Sequence, residues 1–524
     1  MKLRTVKRIV LSALGGIVVV FALVIGIMWL HDPFPVRPGH QANAPAEKAW
    51  WENPPPLTSD EVAAQQWLAD ITCRLSPECE GNVWNVGGSQ HGVFSIRYQA
   101  AFSGYAAAAL GMRTPAYVGL TRSILSNAVK RLADRKAWIY IRSYWSREPW
   151  FPDPCACGNV MYTGHLMMLM ALEESLSGDP SFSGDGVTLV WDDAHRFTYT
   201  TKRLADVTAA QIRAGDGGVP CEPGLVFFAC NNHPHDTFRL LEGMGYGDWR
   251  AESDTWEKWA LRRFQATAGG GAFRVFHHVP SGLSTPVGMP GFDGWCLMWY
   301  SPWMSDHETL SKLWRLAKVK LDWTLFGDDP HDVLPSAEKG CCCGGGGACP
   351  LAVPLATTAS FLATAARACG DAETAGRLEA WLDCHFLKKE NGRLWLNANH
   401  EWRIGVTANR FLALAQANGS NLRAMIRRPL PRDYFKGLLL ERVRPDDAPV
   451  YQAYREPDGT LVVTFDGRGQ AVQLTFRNVG ASPSFHLPDG VRGDWDAASA
   501  TLSLPPCGRV NMRVDAKNNA NQGT

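Results

Sequence analysis

The sequence carries almost no net charge. Its 52 lysines and arginines nearly balance 51 aspartates and glutamates, so the formal net charge is +1. Proteins that bind nucleic acid or another polyanion usually have a basic surplus, so we expect no such partner. Charged residues make up only 20% of the chain and hydrophobic residues 46%, which excludes a disordered protein and indicates a globular one. A chain of 524 residues is long enough for more than one domain.

One long apolar run stands at the N-terminus. Four basic residues precede the uncharged run Ile9–Leu30, which is about as long as the roughly 20 helical residues that span a bilayer. The residues that follow form a poor cleavage site for a signal peptidase. We therefore expect residues 1–31 to be a signal anchor, a single transmembrane helix of the inner membrane. The basic flank should stay in the cytoplasm, which places the rest on the periplasmic side. A cleaved signal peptide would give the same compartment.

The remaining chain divides by composition. Residues 32–57 are rich in proline and polar side chains and are typical of a linker. Residues 58–430 have a helical period, residues 431–515 read as a small β domain, and residues 516–524 as a disordered tail. In the β domain, short alternating runs are joined by turn residues such as Pro457-Asp458-Gly459.

Long strands are scarce in the helical region. Apolar residues recur there at three- and four-residue spacing, for example in SDEVAAQQWLADITCRL, IRYQAAFSGYAAAALGM, NVMYTGHLMMLMALEESL and HETLSKLWRLAKVKLDWTLF. GVTLVWDDAHRFTYTTK is the exception and predicts a hairpin. About a dozen helices with long Gly/Pro-rich connections favour helical hairpins stacked in a ring. The predicted fold class is thus mainly α: an α/α barrel with a C-terminal antiparallel β domain.

The cysteines would lie in an oxidising compartment, so some of the 14 should form disulfides. Cys73 with Cys79 and Cys155 with Cys157 are local candidates. The tract CCCGGGGACP, from Cys341 to Pro350, lacks the spacing of a zinc site among its first three cysteines and favours a structural or redox-capped loop.

Two segments contain candidate catalytic residues. In VPCEPGLVFFACNNHPHDTF, Cys221 and Cys230 could form a disulfide, bind a metal with His233 and His235, or exchange protons with a substrate. The spacing alone does not choose among these. In the second segment, Met161, His165 and Met168 share one helical face, which suits either a pliable apolar pocket or ordinary core packing.

Together, GHLMMLM and PCEPGLVFFACNNH resemble the bacterial linalool dehydratase/isomerase family. The family's Met-x-x-x-His helix matches Met161 and His165, and its Cys-Glu-Pro and Cys-Asn segment matches Cys221 and Cys230, with Glu222, Pro223 and Asn231 beside them. IRYQAAFSGYA is similar to the family's tyrosine-bearing helix, which gives Tyr98. LADITCRL gives Asp70 as the match for the catalytic aspartate. The family's second tyrosine has no counterpart in ITCRLSPECE.

The resemblance covers about residues 58–425 and implies an α/α-barrel enzyme that needs no cofactor and no metal. The implied function is a hydro-lyase or isomerase acting on a small apolar allylic alcohol, a terpenol such as linalool. The implied catalytic residues are Asp70, Tyr98, His165, Cys221 and Cys230. Asp70 and Tyr98 would activate the hydroxyl, and the other three would share the acid/base work. Candidate residues of the substrate pocket are Met161, Met168, Glu222, Asn231, Asp293 and Trp295.

Two other functions compete with this one. An α/α-barrel hydrolase or lyase acting on a saccharide would need paired carboxylates, for which Glu222 and Asp293 are candidates, in an open aromatic groove. The methionines around His165 favour a closed apolar cavity instead. A membrane-anchored envelope protein that only binds a partner would be favoured if Cys221 and Cys230 were bonded to each other. The sequence leaves open whether the chain forms a homo-oligomer.

Overall fold

A computed structural model describes residues 49–79, 81–85, 95–145, 151–156, 158–215, 218–266, 271–285, 288–304, 306–324, 352–398, 402–420, 422–480 and 482–515. The predicted anchor, the tract Cys341 to Pro350 and the C-terminal tail lie outside these ranges. None of the helices inside them combines the length and hydrophobicity that a bilayer crossing requires.

Helices make up most of the described residues between positions 49 and 427. In chain order they are α1 (Ser59–Ala69), α2 (Ile96–Gly111), α3 (Val118–Ala133), α4 (Ile141–Tyr144), α5 (Val160–Ser177), α6 (Ser181–Gly184), α7 (Thr201–Ala214), α8 (Phe228–Gly243), α9 (Arg250–Phe264), α10 (Pro290–Tyr300), α11 (His307–Thr324), α12 (Ala352–Ala368), α13 (Ala372–Phe386), α14 (Arg403–Ala417) and α15 (Leu422–Arg427). A capping box formed by Thr58 and Glu61 starts the first helix.

Six of these helices close a ring. Helices α2, α5, α8, α10, α12 and α14 each contact the next, and α14 returns to contact α2. Helices α1, α3, α7, α9, α11 and α13 alternate with them along the chain and pack outside the ring. Helices α2 and α5 are buried along their whole length, which is why their sequences are largely apolar. The prediction of a mainly helical fold is confirmed, and its helices form the expected barrel.

The strands are short except in the C-terminal domain. They are β1 (Val187–Val190), β2 (Arg196–Tyr199), β3 (Leu225–Val226), β4 (His277–His278), β5 (Leu283–Ser284), β6 (Leu387–Glu390), β7 (Arg393–Leu396), β8 (Leu439–Arg444), β9 (Val450–Arg455), β10 (Leu461–Arg477), β11 (Ser484–His486), β12 (Asp494–Asp496) and β13 (Thr501–Asp515). β1 and β2 form the predicted hairpin. The last six strands form one antiparallel sheet in the order β11-β13-β10-β8, with β12 on β13 and β9 on β10, which confirms the predicted C-terminal sheet.

The sheet packs on the end of the barrel where inner helices finish and outer helices begin. The amide of Leu440 donates to the carbonyl of Ala116, between α2 and α3, at 2.8 Å. Arg477 donates to the carbonyl of Ser177, the last residue of α5, at 2.8 Å. The final part of the predicted linker also packs here, since Leu57 donates to the carbonyl of Tyr451 at 2.7 Å. The opposite end, where the inner helices begin, is left to the connecting loops.

The nine described cysteines are free thiols. The expected Cys73–Cys79 disulfide is therefore wrong in this structure. Cys73 lies in a π-helical turn, where its sulfur is 3.3 Å from the hydroxyl of Thr72 and 3.5 Å from the side-chain amide of Asn127. Cys79 sits in the exposed loop that follows. The pairing proposed for Cys155 involves Cys157, which lies outside the described residues.

Candidate active site

The candidate active site lies on the inner helices, near the end of the barrel at which they begin. Helix α2 carries Tyr98, Phe102 and Tyr105 at positions i, i+4 and i+7, so the three rings share one face. Helices α5 and α8 supply His165 and Cys230, each within the first two turns. Every one of these side chains is buried. The ring of helices thus turns residues that are far apart in the chain toward one interior space.

The two cysteines and Tyr98 form a cluster of proton-bearing groups. The hydroxyl of Tyr98 is 3.7 Å from the sulfur of Cys230, within hydrogen-bond distance for sulfur. Cys221 and Cys230 are also hydrogen-bonded to each other, and neither is in a disulfide. Of the three possibilities left open by the spacing, the structure rules out the disulfide between Cys221 and Cys230.

Asn231, the residue after Cys230, holds the loop that carries Cys221 close to Cys230. The side-chain amide of Asn231 donates to the carbonyl of Val219 at 3.0 Å and accepts from its N–H at 2.9 Å. The amide of Cys221 then donates to the carbonyl of Leu225 at 2.8 Å, which closes a tight turn. Asn231, predicted to bind substrate, instead fixes the loop that carries the first thiol against the helix that carries the second.

Burial keeps Cys221 and Tyr98 protonated. Removal from water raises the pKa of the Cys221 thiol well above its ordinary value, and the hydrogen bond with Cys230 raises it further. Burial likewise raises the pKa of Tyr98 well above its ordinary value, an effect that the nearby guanidinium of Arg97 opposes. Cys221 and Tyr98 therefore hold their protons at neutral pH and can serve as acids.

His165 is a neutral imidazole with one bonded nitrogen. Its Nδ1 lies 2.6 Å from the hydroxyl of Tyr105, and its Nε2 has no hydrogen-bond partner among the described residues. Its ring centroid is 4.0 Å from that of His233. Burial is the main cause that lowers the pKa of His165 well below its usual range. It also lowers the pKa of His233 to about 3, so both rings are uncharged at neutral pH.

A glycine and a proline allow the two histidine-bearing helices to approach closely. A Cβ added at Gly164 would lie 2.9 Å from Cδ of Pro234 and 3.3 Å from Cβ of His233. Pro234 stands inside α8 and has no N–H to give to the carbonyl of Cys230. Gly164 and Pro234, residue types that usually weaken a helix, therefore allow His165 to lie against His233.

An aromatic wall completes the site. Trp295, on α10, lies 5.2 Å from Tyr98 edge to face and stacks on Phe361 of α12 at 5.2 Å. Phe102 contacts the same indole at 6.0 Å and His165 at 6.1 Å. Trp295 was predicted to belong to the pocket, and it does line the site. Such packing suits an apolar ligand and excludes water from the polar groups.

A buried arginine lies where the inner helices begin. Arg97 donates to the sulfur of Met161 at 3.4 Å, and its guanidinium lies over the rings of Tyr140 and Tyr98, at 4.2 and 5.0 Å from their centroids. Glu222 is close enough to interact with this charge, although burial raises the pKa of its carboxyl. Arg97 thus lies close to two residues predicted for the substrate pocket, Met161 and Glu222.

Three predicted site residues lie elsewhere. Asp70 accepts hydrogen bonds from Arg74 and Arg393 at 2.9 and 2.7 Å, in the turn after the first outer helix, and the structure does not bring it to Tyr98. Asp293 is fully buried but accepts from the backbone amides of residues 272 and 273. Met168 is buried in the apolar core a turn beyond His165.

The histidines that follow Cys230 cannot share one metal ion with it. His235 points away from the ring axis, where its Nδ1 is 2.9 Å from the hydroxyl of Ser253 and its ring stacks on Trp256. His233 faces inward to His165. Residues two apart on a helix point in nearly opposite directions. Over the described ranges, no three His, Cys, Asp or Glu side chains are grouped as metal ligands would be.

Several residues of the site were not predicted from the sequence. These are Arg97, Phe102, Tyr105, Trp299 and Phe361, and His233 was considered only as a metal ligand. Phe102 and Tyr105 follow Tyr98 at the same helical spacing that singled out Met161 and His165, so that signal was present. Phe361 has no such signal, because only ring closure brings α12 beside α10.

The chain is similar to known proteins in two ways. A family model described as linalool dehydratase/isomerase matches residues 97–402. Among solved structures, a novel alpha-amylase from Clostridium perfringens has a TM-score of 0.39 at 9% identity, over 67% of this chain and 97% of that one. A glycoside hydrolase from family 105 of C. acetobutylicum has a TM-score of 0.37 at 10% identity, over 68% and 99%.

Proposed function

Because this chain belongs to the linalool dehydratase/isomerase family, we propose that it dehydrates or isomerises a small apolar allylic alcohol. The single observation that carries this proposal is the meeting of Tyr98, Cys221 and Cys230 beside His165 in a buried aromatic site. The substrate we propose is a terpenol such as linalool.

The reaction needs only an acid and a base at two neighbouring positions. An acid of the Tyr98 and thiol cluster protonates the hydroxyl oxygen as the C–O bond breaks, and water leaves with the electron pair. The resulting allylic cation is delocalised. The conjugate base that this acid leaves in the cluster, a thiolate of the Cys221–Cys230 pair, removes a proton from the adjacent carbon, and the C–H electrons form the new double bond. The hydrogen bond between Cys221 and Cys230 lets the proton return, so the resting state is restored.

The saccharide reaction fits this site less well. Glycoside cleavage uses two carboxyl groups on either side of the bond. Of the two candidates, Asp293 already accepts two backbone N–H groups, at 3.1 and 2.8 Å, and only Glu222 adjoins the thiols. We therefore keep the alcohol as the proposed substrate.

The test is turnover by the full-length chain, purified in detergent under reducing conditions without added cofactor. Linalool, geraniol and related alkenols are incubated with the protein, and alkenes are followed by gas chromatography. We expect alkene formation that is lost in Cys221→Ala and in Cys230→Ala. Cys369→Ala, which removes a thiol at the end of α12, should behave as wild type. Full turnover by Cys221→Ala would refute the mechanism, and no turnover of any alkenol by folded protein would refute the function.

We also propose that the N-terminal segment anchors the barrel on the periplasmic side of the inner membrane. The basis is the basic flank followed by the apolar run Ile9–Leu30. Protease treatment of spheroplasts should degrade the barrel while a cytoplasmic marker survives. Survival of the barrel in intact spheroplasts would overturn this orientation.

A further inference from the structure

In the part of the chain that the structure describes, the hydroxyl of Tyr105 makes one hydrogen bond, and its partner is His165. Tyr105 lies two turns beyond Tyr98 on α2, fully buried, and its hydroxyl is 2.6 Å from Nδ1 of His165. Its ring packs on Trp299 at 4.6 Å and stacks on His233 at 5.6 Å. Within the described part of the chain, its hydroxyl makes no second hydrogen bond. Among the described residues, the bond with His165 is therefore the one hydrogen bond of this hydroxyl.

Two proton arrangements fit these heavy-atom positions. In the first, the phenol donates to Nδ1, and the imidazole proton is on Nε2. In the second, Nδ1 carries the proton and donates to the phenol oxygen, and Nε2 is a bare acceptor. Both groups are neutral, because burial raises the pKa of Tyr105 well above its ordinary value and lowers that of His165. Ionisation therefore does not remove the choice.

The position of the unpaired donor decides between the two. In the second arrangement, the phenolic O–H of Tyr105 is buried against Trp299 and His233 with nothing to accept it. In the first, the unpaired donor is Nε2–H of His165, on the ring that meets Tyr98 edge to face at 5.1 Å. An unpaired buried donor destabilises the folded protein. A substrate hydroxyl can offset that cost only in the first arrangement.

We propose that Tyr105 is a positioning residue that holds His165 in the Nε2–H tautomer, so that His165 donates a hydrogen bond to the hydroxyl oxygen of the alcohol. Both the tautomer and the role of the alcohol rest on the proposed function, because the substrate hydroxyl is what favours Nε2–H, but NMR reads the tautomer independently of turnover. His165 then binds and orients the leaving hydroxyl, and the thiols and Tyr98 carry the transferred protons. The rings of His233 and Phe102, at 4.0 and 6.1 Å, restrict rotation of the imidazole.

The test is ¹⁵N NMR of the full chain with labelled histidine, in which the shifts of the two ring nitrogens identify the tautomer. The signal of His165 is assigned by its loss in His165→Asn. We expect a protonated Nε2 and a bare, hydrogen-bonded Nδ1 in the wild type. In Tyr105→Phe, Nδ1 loses its donor, so we expect a mixture of tautomers. We also expect kcat to fall by about tenfold or more, with a smaller change in KM.

The control is Tyr162→Phe, which removes another fully buried tyrosine hydroxyl, one that donates to the carbonyl of Leu132 at 2.8 Å. It should leave the His165 signals unchanged. A wild-type His165 with its proton on Nδ1, or a tautomer that is the same in Tyr105→Phe, would overturn the inference. If the tautomer behaves as expected but no alkenol is turned over, the role of Tyr105 stands and only the proposed substrate is lost.

Discussion

The buried carboxylate of Asp293 should be a structural support whose loss unfolds the loop behind the thiols. Its two oxygens accept from the amides of Ala272 and Phe273 at 3.1 and 2.8 Å. The ring of Phe273 packs at 4.3 Å on Phe228, two residues before Cys230. The carboxylate therefore ties a connecting loop to the helix that carries the second thiol.

Asp293→Ala removes both acceptors and leaves two buried N–H groups unpaired. Each costs about 1–3 kcal/mol, so we expect the free energy of unfolding to fall by about 2–6 kcal/mol. Asp293→Asn keeps one acceptor but turns an NH₂ group toward the other N–H, so an intermediate loss is expected. The measurement is urea denaturation followed by tryptophan fluorescence under reducing conditions.

The control is Asp193→Ala, at an exposed position in the β1–β2 hairpin, which should change the free energy of unfolding by less than about 0.5 kcal/mol. If Asp293→Ala unfolded at the same urea concentration as the wild type, the carboxylate would not be holding the loop. Loss of activity without loss of stability would instead revive Asp293 as a catalytic carboxylate and, with it, the saccharide reaction.

Two further predictions concern α5. Gly164→Ala places a methyl group 2.9 Å from Pro234, so we expect His165 to move and turnover to fall by about tenfold or more. The control is Gly376→Ala, whose added methyl group has no atom within 4 Å and should leave turnover unchanged. Equal activities of the two variants would contradict the close helix contact. Burial is the main cause that raises the pKa of Glu173 from 4.5 to about 8 in the folded protein. Between these two pH values Glu173 is protonated in the folded protein and ionised in the unfolded chain, so the free energy of unfolding falls as pH rises. Glu173→Gln should therefore be more stable than the wild type by a margin that grows from pH 4.5 to 8 and then levels off, reaching on the order of a few kcal/mol. The measurement is urea denaturation at a series of pH values, and a margin independent of pH would refute the assignment.

Local sequence predicted what local geometry controls. Met161 and His165 share a face because their spacing matches the helical period, and the same period places Phe102 and Tyr105 below Tyr98. The spacing of Cys221 and Cys230 did not identify a thiol pair, which was inferred from the resemblance to the family, although the clamp of Asn231 on Val219 acts over a short stretch of chain.

Contacts between distant segments could not be predicted in this way. Asp70 resembled a catalytic residue, yet its carboxylate accepts a hydrogen bond from Arg393, 323 positions later. Asp293 resembled an exposed acid of a groove, but the backbone of a loop folds over it. In both cases a hydrogen-bond donor to the carboxylate comes from another segment of the chain, and neither helical period nor residue spacing predicts which segment that is.

By itself, the sequence determined a helical protein with a C-terminal sheet, because hydrophobic period depends only on the local chain, and it marked two candidate catalytic segments. Only the tertiary structure decided that those segments face each other. Ring closure brings α2, α5, α8 and α10 together, and the missing side chain of Gly164 allows His165 to lie against His233. It also decided which buried groups keep their protons, because a pKa depends on desolvation, which is a property of the assembled interior rather than of the chain.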